Sequence, residues 1–220
     1  MAQRYTVSDG ENTLHLTVFS ENSQWSERLR SARLSQVVLS RPRPEVAPDV
    51  FADAFGVLWK NGAPTGKAPV SDARMLADYR FPAVSEEFIR ERMEAFQVPD
   101  DGSLRVCVYP EELFDRMTAL AGRENLLRAA ECDPAFVHSL AKSVCERLLQ
   151  VMECSMQSAF DVFLLDGTLY ETAPEYLQRE FLRPYLARLY AMAAAYGKGI
   201  AQRGRGMLDM TALGLDMLAE

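Results

Sequence analysis

Two short apolar runs, SLRVCVY at 103–109 and FDVFLL at 160–165, flank a stretch, residues 110–159, that reads almost wholly as helix. Each run has the length and side chains of a buried strand. Strands joined through helices, with no tight hairpin turn between them, pair in parallel and place the helices outside the sheet. This pairing restricts the chain to an α/β fold. The intervening helices are well marked at Glu111–Leu120 and Glu124–Ala130, and a long third one is opened by Asp133 before Pro134. An N-cap side chain followed by proline at the first helical position is a strong start signal. The helix is expected to run to about Ser158, with Phe136, Val137, Leu140, Val144, Leu148, Val151, Met152 and Ser155 forming one core-facing stripe at spacings of three and four.

The same alternation continues on both sides. TLHLTVF at 13–19 alternates polar and apolar residues and reads as a strand, followed by a helix over 23–34. The segment from Val37 to Pro69 starts as a strand and becomes rich in Pro and Gly while hydrophobic residues run through it, which fits an excursion at a barrel mouth. Ser71 and Ser85 are placed to cap two short helices, and Thr172 with Glu175 forms a capping box for a helix that passes Pro184 with a kink and stops at Gly197. The last 24 residues hold a weak strand, a short helix and LDML as a final strand. About six strands against the eight of a closed barrel of roughly 250 residues predict an incomplete or shortened TIM-type (β/α) barrel with parallel strands. A single domain over 1–220 is expected.

Composition sets the partners. The chain is 48% hydrophobic and 25% charged, as in an ordinary globular protein. Its net charge of -7 is dispersed and leaves no basic stripe, so nucleic acid is not an expected partner. The amino terminus lacks a cationic segment followed by an apolar one, and no apolar run of 18 residues occurs, which predicts a cytoplasmic protein without a membrane span. Cys107, Cys132, Cys145 and Cys154 form no CxxC pair and read as reduced, largely structural thiols.

Three stretches carry a family likeness: FADAFGVLWKNGAPTGKAPVSDARMLADYRFP, LFDRMTALAGRENLLRAAECDPAFVHSL and REFLRPYLARLYAMAAAYGKGI. In this order and spacing the chain resembles the uroporphyrinogen decarboxylase superfamily over residues 13–218, and most of all its corrinoid-linked methyltransferase branch. The resemblance implies either decarboxylation of tetrapyrrole acetate groups without a cofactor, or zinc-dependent methyl transfer between a corrinoid protein and a thiol. The zinc branch is expected to carry His-x-Cys-Gly where this chain has GKGIAQRGRGMLDM, with Arg203 and Arg205 and neither His nor Cys. His138 and Cys145, seven apart on one helix, are about 10 Å apart along its axis, too far to share a metal, and His15 stands alone. No metal and no cofactor are therefore expected.

For decarboxylation the resemblance implies a carboxylate after the second strand, a role open to Asp53 or Asp49; Asp53 is equally readable as a turn residue. Arg116 stands where the decarboxylases place a tyrosine. It either pairs an anionic substrate group or is an exposed helix arginine paired with Glu112. Asp166 sits at a strand's carboxyl end, where barrel sites lie, and is also readable as a turn-forming Asp-Gly. Tyr170 is a mouth-lining or a packing residue, and Glu124 and Asn125 fit an ordinary helix start. The loop DGTLYE is short for the family.

Two functions follow. The first is a tetrapyrrole- or corrinoid-related decarboxylase or methyltransferase-like protein with reduced or lost catalysis, built around Asp53, Arg116 and Asp166. The second is a non-catalytic scaffold whose unclosed sheet edge is covered by a homodimer mate or a partner chain.

Overall fold

The structure is a computed structural model that describes residues 3–18, 28–30, 32–40, 43–66, 68–96, 102–167, 170–203 and 217–219. It begins with an antiparallel hairpin of β1 (Gln3–Ser8) and β2 (Thr13–Val18). The Asp9 carboxylate closes its turn by accepting the N–H groups of Glu11 and Asn12 at 2.9 and 2.6 Å. Of the helix expected over 23–34, residues 23–27 and 31 lie outside the described residues. Arg28 and Leu29 are helical, and Leu34 already opens β3 (Leu34–Val38).

After β3 the excursion builds a small antiparallel sheet of its own: β4 (Glu45–Ala47), β5 (Val50–Ala52), β6 (Leu58–Lys60) and β7 (Ala63–Pro64). The main sheet resumes with β8 (Leu104–Tyr109), β9 (Val162–Leu165), β10 (Gly199–Arg203) and β11 (Met217–Ala219). Its order is β1-β2-β11-β10-β9-β8-β3, with β3, β8, β9, β10 and β11 mutually parallel and β2 antiparallel to β11. The sheet curls until its edge strands β1 and β3 bring Cα atoms within 8 Å of each other. The fold is thus a shortened TIM-type barrel, and among the described residues its frame of five parallel strands is continued by the amino-terminal hairpin.

Side-chain alternation along the strands separates two cores. Leu104, Val106 and Val108 of β8 and Val162 and Leu164 of β9 point inward, where they meet Val7, Leu14, Leu16 and Val18 of the hairpin. Cys107, Tyr109, Phe163 and Leu165 point outward against the helices. At the amino-terminal ends of these strands, Asp161 accepts the backbone N–H and the guanidinium of Arg105 and pairs with Arg28. Burial alone would raise its pKa, but the Arg105 hydrogen bonds and the Arg28 charge outweigh it and hold the carboxyl below its ordinary value.

The helices follow the sequence with three corrections, all at their caps. The helix α1 (Ala73–Asp78) is capped by Asp72, whose carboxylate accepts Met75 N–H at 2.8 Å, while Ser71 contacts the Met75 sulfur. The helix α2 (Glu86–Ala95) starts after Ser85, whose side chain makes no capping bond. Glu112 caps α3 (Leu113–Ala121), α4 (Arg123–Cys132) follows, and Asp133 caps α5 (Pro134–Met156) as its Asp-Pro signal predicts. The expected Thr172 capping box is absent because Tyr170–Thr172 forms a 3-10 turn and Thr172 accepts Arg123 instead. Pro174 then precedes α6 (Glu175–Leu177), a π turn spans Gln178–Leu182, and α7 (Arg183–Ala195) carries Pro184 in its first turn. The widened turn upstream absorbs the irregularity that a proline imposes. Gly197, at φ +65°, ends the helix as expected.

Among the described residues no helix is long and apolar enough to cross a membrane. Gly167, just after β9, has its Cα so close to α3's cap that an added Cβ would lie 2.1 Å from Glu112 Cβ. Gly167→Ala is expected to cost about 1–3 kcal/mol through overpacking, measured by urea unfolding; an unchanged midpoint would show that the strand end and the cap are not in contact.

Candidate functional site

The loop between β5 and β6, Asp53-Ala54-Phe55-Gly56-Val57, is organised around one carboxylate. Asp53 Oδ1 accepts the N–H groups of Phe55 and Val57, each at 2.9 Å. Its Oδ2 accepts the Trp59 indole N–H and an Arg116 guanidinium N–H, each at 2.7 Å. Gly56 takes φ +82°, and a Cβ there would lie 2.6 Å from the hydroxyl of Tyr79, which donates to Phe55 O. Only glycine therefore suits the position.

Arg116 is not the exposed helix arginine paired with Glu112 that the i, i+4 spacing allowed. It is buried on the inner face of α3, where its guanidinium carbon lies 5.8 Å from the Phe55 ring centroid and 5.7 Å from that of Trp59. Its Nε sits 2.7 Å from Glu111 Oε2. The N–H does not point at that oxygen, so neither atom gains a hydrogen bond. The contact is electrostatic, and Glu111 keeps an unused acceptor.

Asp53 and Glu111 line a cavity of about 250 Å³ at the carboxyl ends of β3 and β8. Leu39, Tyr109, Pro110 and Glu111 come from the strand ends, Arg43, Asp53 and Ala54 from the excursion, Ser85 and Ile89 from the start of α2, and Arg147 and Val151 from α5. The carboxyl end of the strands is where barrel enzymes place their chemistry. Burial raises the Glu111 carboxyl to about 7, partly opposed by Arg116 and helped by Asp53. Burial also pushes Tyr109 upward, with the charge of Glu111 adding to it. A carboxyl that titrates near neutrality in a cleft has the character of a general acid or base.

Asp53 and Arg116 are therefore brought together as an ion pair. Asp49 is placed apart, in the exposed turn between β4 and β5 at φ +60°, with its N–H on Glu45. Asp166 follows β9 and donates its backbone N–H to Tyr109 O. Tyr170 is fully buried and faces a different polar cluster, in which Glu112 is raised to about 8 by burial and then by the Asp115 charge. Glu124 is exposed and Asn125 donates to Ser71 O, as the helix-start reading has it. Glu111 and Arg147 were missed by sequence reasoning. Glu111 is only the first residue of an expected helix in the sequence, whereas Arg147 carries a usable signal, an arginine three and four residues from Val144 and Val151 on the apolar stripe.

Among the described residues no three His, Cys, Asp or Glu side chains converge as metal ligands. His138 Nδ1 lies 3.2 Å from the Tyr185 hydroxyl and Cys145 donates to Tyr185 O. His15 pairs with Thr6 on the hairpin. Zinc does not fit this described set. The stretch 204–216, which overlaps the position of the zinc motif, lies outside it.

No protein-family model matches the chain, and no curated protein matches it. Among solved structures it is similar to a methyltransferase from Methanosarcina mazei, with 16% identity and a TM-score of 0.51, over 70% of this chain and 48% of that one. The chain thus spans about half the length of that neighbour, and at this identity the likeness speaks for the fold alone.

Two outcomes follow from the site. Breaking a buried ion pair by removing one charge costs about 3–5 kcal/mol, so Asp53→Asn and Arg116→Met are each expected to destabilise strongly. The double variant is expected to lose less than their sum; simple additivity in a denaturation cycle would contradict the pairing. Glu111 has a folded pKa above its unfolded value, so its contribution is full below about 4.5 and is lost as pH rises toward 7. Glu111→Gln is expected to flatten that fall and to stabilise the protein at pH 8 relative to the parent. Parallel stability profiles for the two proteins from pH 4 to 8 would contradict it.

Proposed function

We propose that the protein is a methyltransferase-like enzyme of the uroporphyrinogen decarboxylase superfamily, acting on a small substrate in the cavity beside Glu111. The observation that carries this reading is a buried carboxyl poised near 7 at the carboxyl ends of parallel barrel strands. When a methyl group passes from a corrinoid-type donor to a thiol, the new bond forms at sulfur and the donor keeps the electron pair of the broken bond. The thiol proton goes to a base. Glu111 is suited to take that proton, and Arg116, anchored on Asp53, positions it. A volume of about 250 Å³ lies below the roughly 300–1,000 Å³ of drug-sized pockets. It favours a small acceptor over a tetrapyrrole macrocycle.

The scaffold reading is favoured by a different fact. Both oxygens of Asp53 are already engaged by four donors, which leaves that carboxylate no free acceptor for a pyrrole N–H. The readings are separated by incubating the protein with methylcobalamin and a small thiol and following the corrinoid spectrum. Enzyme-dependent demethylation that falls about 100-fold or more in Glu111→Gln is expected. Turnover no faster than the protein-free control, or equal rates in the two proteins, would contradict the enzyme reading.

A further inference from the structure

Among the described residues, Arg147 is a buried charge without a counter-ion. It projects from the middle of α5 among Val144, Leu148 and Val151, and only 7% of its surface is exposed. One guanidinium nitrogen donates to Ala54 O at 3.2 Å, its Nε has no hydrogen-bond partner, and no described carboxylate lies within ion-pair distance. Burial pulls its pKa down, with the Tyr109 phenol opposing that shift. A buried cation in this state is destabilising for a chain that never binds an anion. Arg147 also lines two adjoining cavities, the mouth cavity and a groove of about 900 Å³ that shares Pro82, Ala83 and Val84 with it. The groove side carries Glu86, Glu146 and Glu153, which disfavour an anion. The mouth side offers Ser40, Arg43 and Ser85, and its two carboxyl groups are Asp53, paired with Arg116, and Glu111, raised by burial. Ser85 stands at the start of the ten-residue α2, its side chain makes no capping bond, and the first-turn N–H groups of a helix have no intrahelical acceptor.

We infer that Arg147 and the start of α2 form a subsite for the carboxylate group of a small organic acid in the mouth cavity. This rests on the reading of that cavity as the working site and names what the substrate carries besides its reacting atom. Arg147 supplies a planar fork of donors suited to a carboxylate, and Ser85, with its side chain free of a capping bond, lines the same cavity as Glu111 and supplies a further donor. The subsite exchanges stability for recognition, so its loss has a signature that a structural arginine would not give.

The test uses the full chain with Trp25→Phe, so that fluorescence reports Trp59, whose indole is bonded to Asp53. Acetate, propionate and succinate are titrated at constant ionic strength, with thermal unfolding of the same samples. Saturable binding is expected, at least tenfold weaker in Arg147→Met and partly retained in Arg147→Lys. It should be unchanged in Lys142→Met, which removes an exposed charge from the same helix. Ligand-free Arg147→Met is expected to melt at a higher temperature than the parent. Binding that survives Arg147→Met would overturn the subsite while leaving the cavity as the site. Binding that needs Arg147 but leaves Trp59 silent would move the anion to the outer groove and overturn the assignment. No saturable binding of any of the three acids also overturns it, and the methyl-transfer assay then decides separately whether the cavity is catalytic. A lower melting temperature in Arg147→Met would make Arg147 a structural donor to Ala54 and remove the premise.

Discussion

The Arg116–Asp53 ion pair ties two parts of the molecule that local sequence preferences would leave independent. Asp53 belongs to a small antiparallel sheet inserted after β3, and Arg116 to the first helix after β8; 63 residues separate them. With both charges out of water, each needs the other, and the four donors around Asp53 fix the loop from Asp53 to Trp59 against α3. That attachment turns the excursion into a wall. Without it the strand ends of β3 and β8 would open to solvent and Glu111 would lose the burial that lifts its pKa.

The site therefore depends on a hierarchy of burial. Glu111 has a charged neighbour in Arg116 but an unaligned one, so its carboxyl is neither neutralised by hydrogen bonds nor left in water. Arg147 has one backbone acceptor and no carboxylate. Both groups line the cavity and both are incompletely satisfied charges. Buried polar groups are ordinarily bonded, and exceptions concentrate at sites that await a ligand or a proton.

Much of the fold was legible in the sequence because its signals are local. The Asp133–Pro134 start, the apolar runs that became β8 and β9, and the Gly197 stop each depend on a few neighbouring residues. The hairpin partner β1 was not foreseen, and with it the structure continues the sheet past β11 until its edge strands approach each other. Thr172 failed as a cap because a tertiary donor, Arg123, took its hydroxyl. The candidate site was only half legible for the same reason. Asp53 and Arg116 stood out as residue types, but their pairing is a long-range contact, and Glu111 looked like one more acid at a helix start until burial distinguished it.

Everything at the mouth turns on its being closed enough to hold Glu111 near neutrality. The most direct measurement is a pH titration of the Glu111 side-chain carbonyl carbon by NMR, with glutamate labelled at that carbon and the signal assigned through Glu111→Gln. A midpoint near 7 is expected. A midpoint at the ordinary glutamate value near 4.5 would mean that the carboxylate is open to water, and that the cavity at the ends of β3 and β8 is not the built site argued for here.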